Sequence, residues 1–209
     1  MTLDTAASLR TTQMLRGHLR PGEELVWSGM PDRAALIGRG DGYLIPFSVV
    51  WLSFACFWEF GATQSGSGGF FELWGIPFIA LGLYMVAGRF VYKRISHGRT
   101  AYGVTRDRAL IVTPTTFRDL PLSGVPITVQ RSHGGRRASV IMGTPDAVPG
   151  RAGVLGTRRY RSARAYAMYA NTGMEPLMRS AIWPFAFYDV DNPDAMLAAI
   201  DRARTVSSW

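Results

Sequence analysis

Two uncharged apolar stretches decide the fold of this chain: YLIPFSVVWLSFACFW at residues 43–58 and LWGIPFIALGLYMVAG at residues 73–88. A helix rises ~1.5 Å per residue, so about 20 residues cross ~30 Å of hydrocarbon. Aromatic residues that suit a membrane interface extend both stretches, and we expect Arg89 to extend its side chain outwards to that interface. The pattern predicts a transmembrane helical hairpin with spans at about residues 43–60 and 70–92. The alternative is a pair of buried helices in a soluble core.

The connection between the spans and the basic residues around them predict the orientation of the hairpin. Residues 61–69, GATQSGSGG, carry no charge and consist mainly of turn-forming residues. Arginines precede the first span, and Lys93, Arg94 and Arg99 follow the second. The positive-inside rule then places both termini in the cytoplasm and the loop outside. The first span begins too far from Met1, and is too rich in aromatic residues, for a cleaved signal peptide, so we expect a multi-pass membrane protein.

The positive charge of the chain lies mainly after the hairpin. Residues 1–42 hold five arginines and five acidic residues, whereas residues 93–209 hold 17 basic and eight acidic residues. Each basic side chain held close to an anionic leaflet contributes about 1 kcal/mol of binding. The charge therefore predicts contact with the lipid bilayer and its anionic headgroups, and the alternative is a solvated basic surface without a ligand. Other integral membrane proteins are also expected partners of the hairpin. Nucleic acid is not expected, because no reader motif occurs and the tether keeps the domain from most of it.

Strand-forming runs follow the hairpin and predict an antiparallel sheet. They are bounded by turn-forming residues and cover residues 100–105, 109–113, 117–120, 127–131, 138–142 and 183–188. Asn192 and Pro193 then suit the N-cap and the first position of a final amphipathic helix. We expect Met196, Leu197 and Ile200 of this helix to face the sheet.

The segment ahead of the hairpin, residues 1–42, contains two weaker signals. Residues 25–27 are typical of a short strand, which we expect to pair with the sheet of the C-terminal domain because both lie on one side of the membrane. The alternative is an interfacial loop with Trp27 at headgroup depth. Residues 4–19 fit either a short amphipathic helix or a frayed terminus.

Four pieces of the chain resemble the small membrane proteins that carry a bacterial pleckstrin-homology-like (PH-like) domain. They are GEELVWSGMP at residues 22–31, GRF at residues 88–90, TAYGVTRDRALI at residues 100–111 and FYDV at residues 187–190. The resemblance spans most of residues 20–205 and fits residues 144–181 less well. It implies an α+β protein in which residues 93–209 form a cytoplasmic antiparallel β-barrel or sheet capped by a C-terminal helix. It implies no catalytic residues, because such domains generally bind or scaffold.

Arrangements that carry catalysis, cofactors or metals are missing from the sequence. Cys56 is the one cysteine and lies inside the first span, and no His-x-x-His or Cys-x-x-Cys spacing links the histidines, His18, His97 and His133. We expect the histidines to face solvent or the interface, and Glu59 and Glu72 to be ordinary interfacial charges. The sequence therefore predicts no metal, no cofactor and no enzymatic activity.

Two sets of residues are candidate contact sites. The first is a basic stretch that includes an aromatic residue and suits anionic headgroups or an acidic partner: Arg151, Arg158, Arg159, Arg161 and Arg164. A solvated loop is the alternative. The second set consists of small residues that allow helices to approach the second span closely: Gly75, Ala80, Gly82, Ala87 and Gly88.

These features favour a non-enzymatic, membrane-anchored adaptor, accessory subunit or assembly factor of an inner-membrane protein complex. The alternative is a peripheral sensor of anionic lipid headgroups that uses the basic PH-like domain. A membrane enzyme or transporter is disfavoured because the sequence lacks the residue constellations that such activities need.

The charge asymmetry generates a prediction about topology. In a Cys56→Ser background, an impermeant thiol reagent added outside intact cells should modify Ser65→Cys in the connecting loop and spare Ser207→Cys near the C-terminus. The reverse labelling pattern would overturn the orientation.

Overall fold

A computed structural model describes residues 2–38, 40–64, 69–132, 135–143, 169–178 and 183–206 of the chain. The protein is an α+β structure with two antiparallel sheets and two long apolar helices. In chain order its elements are α1 Thr2–Arg16, β1 Leu25–Gly29, α2 Asp41–Gln64, α3 Gly69–Leu83, a π-helical turn Tyr84–Gly88, α4 Arg89–His97, β2 Ala101–Thr105, β3 Arg108–Val112, β4 Phe117–Pro121, β5 Ile127–Arg131, β6 Arg137–Met142, a 3-10 turn Glu175–Leu177, β7 Phe185–Asp191 and α5 Asp194–Val206.

Within the described residues, two helical segments are long and apolar enough to cross a membrane: Asp41–Gln64 and Leu73–His97. We call them the first and the second span for their length and composition. The second runs without a break through α3, the π-helical turn and α4. Only 17% and 22% of their most apolar windows are buried inside the protein, whereas a helix in a soluble core is mostly buried. Both helices extend past the bounds predicted from sequence, to Gln64 in the first and to His97 in the second.

Sheet A contains β1, β2, β3 and β4 in that spatial order. β1 pairs antiparallel with β2 through Trp27 opposite Val104, with a bulge between Leu25 and Trp27. The N-terminal segment therefore contributes the edge strand of this sheet, as the sequence predicts. A fragment that starts after the hairpin would lack that strand.

Sheet B contains β5, β6 and β7, and the main core lies between the two sheets and α5. In the described part of the chain the strands form two separate sheets and no closed barrel, and the bridge between Pro31 and Val190 links the two sheets at one side. Met196 and Ile200 of α5 are fully buried in the core, while Leu197 lies half-buried at its margin. The final helix thus covers the core with the face that its sequence indicates.

Helix α1 covers the opposite face of sheet A. Leu15 is fully buried against Leu110 and Val112, and Gly103 lets the Leu15 side chain approach the sheet closely. Because α1 covers one face and the main core the other, every residue of β2 and β3 is buried. Burial of both faces explains why these two strands read as nearly continuous apolar runs.

Arg108 fastens the N-terminal segment to sheet A. Its Nε and Nη2 atoms donate to the two carboxylate oxygens of Glu23 at 2.8 and 2.6 Å, and its Nη1 donates to Asp119 at 2.7 Å. Arg108 and Glu23 form a charge-assisted, bidentate pair, which is stronger than an ordinary hydrogen bond. Hydrogen bonding by Arg108 lowers the pKa of Glu23 to about 2.

This pair predicts a loss of stability in acid. The folded pKa of Glu23 lies below its ordinary value of 4.5, so its stabilisation is complete above pH 4.5 and disappears as the pH falls towards 2. Between these pH values the thermal midpoint of the full chain in detergent should fall more steeply for wild type than for Glu23→Gln. Glu24→Gln removes only an exposed ion pair with Arg106 and should follow wild type. Equal slopes for wild type and Glu23→Gln would show that this ion pair does not hold the segment.

Candidate functional site

A buried polar junction connects the second span to the sheets. Arg89, Lys93 and His97 follow one another at four-residue intervals on α4, so they share one face of that helix. All three are buried, and they meet the loop before α2 together with residues 169–175. We call this set of contacts the polar junction.

The first contact is an ion pair between Arg89 and Asp41 at the adjoining ends of α4 and α2. Arg89 is 1% exposed and Asp41 is 0% exposed. The Arg89 guanidinium also donates to Met85 O at 2.6 Å and to Thr172 O at 3.2 Å, while Asp41 accepts the Gly38 N–H at 2.6 Å. The pair therefore joins both spans to two other segments of the chain.

The second contact involves Lys93, which is the only lysine in the chain and is 2% exposed. Its Nζ donates to Leu36 O at 3.1 Å and lies 3.6 Å from an Asp189 carboxylate oxygen. Asp189 belongs to β7, so Lys93 connects α4 to sheet B and to the loop that leads into α2. A compact ammonium group with three donors suits these divergent acceptors.

The third contact is made by both ring nitrogens of His97. Nδ1 lies 2.9 Å from Asp32 O, and Nε2 lies 2.9 Å from Asn171 Oδ1. The Asn171 side chain is oriented by its Nδ2, which donates to the Asp189 carboxylate at 2.6 Å. Its Oδ1 therefore faces the His97 ring. Both ring nitrogens thus lie next to oxygen atoms, and the ring is held between residues 32 and 171.

Residues 169–175 fit against the start of α4 through a tight turn. Gly173 has φ +83°, and a Cβ on it would collide with the Arg89 backbone. Asn171 also adopts positive φ, which asparagine tolerates better than most residues. Tyr84 donates through its hydroxyl to Gly173 O at 2.6 Å. This close approach brings Asn171 and Thr172 within reach of the α4 side chains.

The loop that joins β1 to α2 is held by sheet B. Asp32 N–H donates to Asp189 O at 2.8 Å, and the Asp32 carboxylate accepts from Arg137 Nε at 2.6 Å. Burial favours the neutral acid, but the Ala34 N–H and the Arg137 charge outweigh it and lower the pKa of Asp32. The loop is therefore anchored to β6 and β7 while it carries the chain into the first span.

A cleft of about 200 Å³ opens beside the polar junction, between α4 and the edges of the two sheets. Arg118 of β4 and Tyr188 of β7 line it from the sheets, and Glu175 lines it from the 3-10 turn. Desolvation raises the pKa values of Glu175 and Tyr188 and lowers that of Arg118. We call this space the junction cleft.

A second cleft, of about 250 Å³ and almost wholly apolar, lies between α2 and α3. Its lining consists of Trp51, Phe54, Ala55, Trp58, Trp74, Gly75 and Phe78. Nearby, Glu59 packs against Gly75, and its Oε2 is buried without a hydrogen-bond partner in the described part of the chain. The interfacial charge expected at Glu59 is thus partly enclosed between the spans.

The candidate contact residues are distributed unevenly. The five arginines of the basic stretch, residues 151–164, lie outside the described residues. Gly75 and Gly82 face α2, where added side chains would meet Glu59 and Leu52. Ala80 and Ala87 are exposed. Gly88 is half-buried and has Tyr84 of its own helix as its nearest neighbour.

Two expectations about single residues were wrong. Arg89 does not extend outwards to the interface, because Asp41 lies close enough to compensate its charge inside the protein. His97 does not face solvent or the interface, because residues 32 and 171 enclose it. The four-residue spacing of 89, 93 and 97 is the sequence signal that could have indicated a shared buried face.

Histidine, cysteine and acidic side chains in the described ranges form no group of three or more that could hold a metal ion. Comparisons with protein-family models, curated proteins and solved structures found no match to this chain. Its contacts and charges are therefore the basis for a functional proposal.

The polar junction generates a prediction about stability. Asp41→Asn leaves the Arg89 charge buried without compensation, which should lower the free energy of unfolding by about 3–5 kcal/mol. Asp194→Asn, which breaks an exposed pair with Arg131, should cost no more than about 1 kcal/mol. Thermal unfolding of the full chain in detergent measures both effects.

A double variant separates charge compensation from packing. Asp41→Leu combined with Arg89→Met removes both charges and should be less destabilised than Asp41→Asn, since no buried charge remains. A double variant less stable than Asp41→Asn would contradict the assigned role of the ion pair.

Proposed function

We propose that this protein is a non-enzymatic adaptor, accessory subunit or assembly factor that holds a partner at a bacterial inner membrane. In this proposal the two long helices form a transmembrane hairpin with both termini in the cytoplasm. The sheets and α5 form a PH-like domain. The arrangement of a four-stranded sheet, a three-stranded sheet and a final helix over one core supports that assignment.

The observation that carries the proposal is the polar junction. A flexible tether would need only the hairpin and a linker, whereas here α4 continues the second span into buried contacts with both the loop before α2 and β7. Such contacts fix the orientation of the sheets relative to the spans. A fixed orientation suits a protein that presents one surface to a membrane-bound partner.

The hairpin also offers a surface for other membrane helices. Large apolar side chains of both spans point away from the rest of the protein, among them Phe54, Phe57, Leu73 and Ile76. The intramolecular contact between α2 and α3 leaves most of each helix uncovered. In a bilayer this surface faces lipid or the helices of a partner.

Purification of the tagged full chain in mild detergent tests the proposal. We predict a membrane-protein partner in fixed stoichiometry. Deletion of the protein should lower the amount of that partner's complex while each surviving complex keeps its normal activity. Turnover of a substrate by the purified protein alone would contradict the proposal, and so would recovery of lipid with no protein partner.

The basic stretch supplies a matched pair of variants for the same experiment. Arg158, Arg159, Arg161 and Arg164 changed together to Ser should lower partner recovery. The loss should grow with salt, because exposed charges are screened over about 10 Å at 0.1 M. The control changes four exposed arginines elsewhere to Ser: Arg106, Arg131, Arg136 and Arg202. Equal recovery with both quadruple variants would exclude a specific role for residues 158–164.

A further inference from the structure

We propose that the junction cleft binds a single anionic group, a phosphodiester or a carboxylate, through Arg118 and Tyr188. This assignment concerns a ligand site on the protein itself and does not depend on the adaptor role.

The first argument is the missing counter-charge of Arg118. Its Nη2 donates to Trp183 O at 3.1 Å and its Nη1 lies 3.4 Å from Pro184 O, and both of these are backbone carbonyls. Among the described residues no carboxylate lies within ion-pair distance of this guanidinium, although it is half-buried. A partly desolvated cation without a counter-ion is destabilising, and a bound anion removes that cost.

The second argument is the hydroxyl group of Tyr188. Its Oη is buried and has no hydrogen-bond partner within the described residues. A buried donor left unpaired costs free energy, so such groups are uncommon unless they serve a ligand. Tyr188 and Arg118 line the same cleft, so we assign both as donors to one anion bound there.

The third argument is the net charge of the groups that line the cleft, which determines the charge of the anion that fits. Lys93 also lines the cleft, but its charge is already compensated by Asp189 at 3.6 Å, and its Nζ donates to Leu36 O. Glu175 adds an acidic group on the same side, and burial shifts it towards its neutral form. The sheet side therefore presents one uncompensated positive charge, which matches a monoanionic group.

The position of the cleft favours an anion that carries an apolar chain. Tyr92 and Ser96 line it from the last turns of the second span, and Trp183 and Ile111 add apolar surface. In a bilayer this end of the span meets the headgroup layer. The headgroup of an acidic lipid and a free anion share the chemistry that Arg118 and Tyr188 recognise, and an experiment can distinguish these two sources.

Native mass spectrometry of the full chain tests the lipid source. The protein is released from nanodiscs that contain phosphatidylglycerol and phosphatidylcholine, and the retained lipid is counted. Wild type should retain phosphatidylglycerol in preference to phosphatidylcholine. Arg118→Gln should lower this retention about tenfold or more, because it removes a charge-assisted hydrogen bond. Arg131→Gln has the same change of net charge at an exposed position and should retain as much as wild type.

Tyr188→Phe guards against an effect of misfolding. This change removes only the unpartnered hydroxyl, so the thermal midpoint of the lipid-free protein should not fall, while phosphatidylglycerol retention should fall.

The free-anion source is tested by adding inorganic phosphate or acetate to protein in phosphatidylcholine nanodiscs. A rise in thermal midpoint that Arg118→Gln abolishes would support the site with a soluble anion as its ligand.

Two results would overturn the assignment. One is Arg118→Gln protein that matches Arg131→Gln in both lipid retention and the response to phosphate and acetate. The other is a lower thermal midpoint for lipid-free Tyr188→Phe, since that would show that the hydroxyl already has a stabilising partner in the protein.

Discussion

The ion pair between Arg89 and Asp41 is the interaction on which the arrangement of the other segments depends. Both side chains are withdrawn from solvent where the two spans meet the sheets. A buried charge is costly unless a partner and further hydrogen bonds compensate it. Here the compensation requires the start of α2, the start of α4 and the turn at Thr172 to be in place together. The pair therefore stabilises one arrangement of three segments that are distant in sequence.

The rest of the polar junction extends this requirement towards the sheets. Lys93 needs Leu36 O and Asp189, and His97 needs Asp32 O and Asn171. Each of these groups would lose its partners if the sheets turned away from the spans. Rotation of the domain relative to the hairpin would thus leave buried polar groups unpaired, which opposes such movement. This physical constraint links the fold to the proposed role in presenting a surface at a membrane.

The sequence predicts the elements of this protein better than it predicts their contacts. Alternating and apolar runs indicate each of the seven strands in the described part of the chain, because strand formation depends on local pattern. The helical alternative for the N-terminal residues is confirmed by α1, whose Leu15 is fully buried. The helix that contains the second predicted span continues to His97, past the predicted bound at about residue 92, where the charged residues of α4 suggested an earlier end.

The polar junction itself was missed for a physical reason. Its contacts join positions 48 and 83 residues apart, and no local periodicity reports such pairings. Arg89 at the end of an apolar run fits both an interfacial side chain and a buried ion pair, and only the position of Asp41 decides between them. The junction cleft likewise depends on strands from both sheets, so no local pattern indicates that Arg118 and Tyr188 line one cleft.

Hydrogen–deuterium exchange of the full chain in a bilayer tests the central claim most directly. If the ion pair holds the spans and the sheets together, Asp41→Asn should speed exchange of the amides at 169–175, while the amides of β3 keep their wild-type protection. Unchanged exchange at 169–175 in Asp41→Asn would contradict the account. Uniformly faster exchange throughout the sheets would contradict it as well, because the variant would then have lost the fold as a whole.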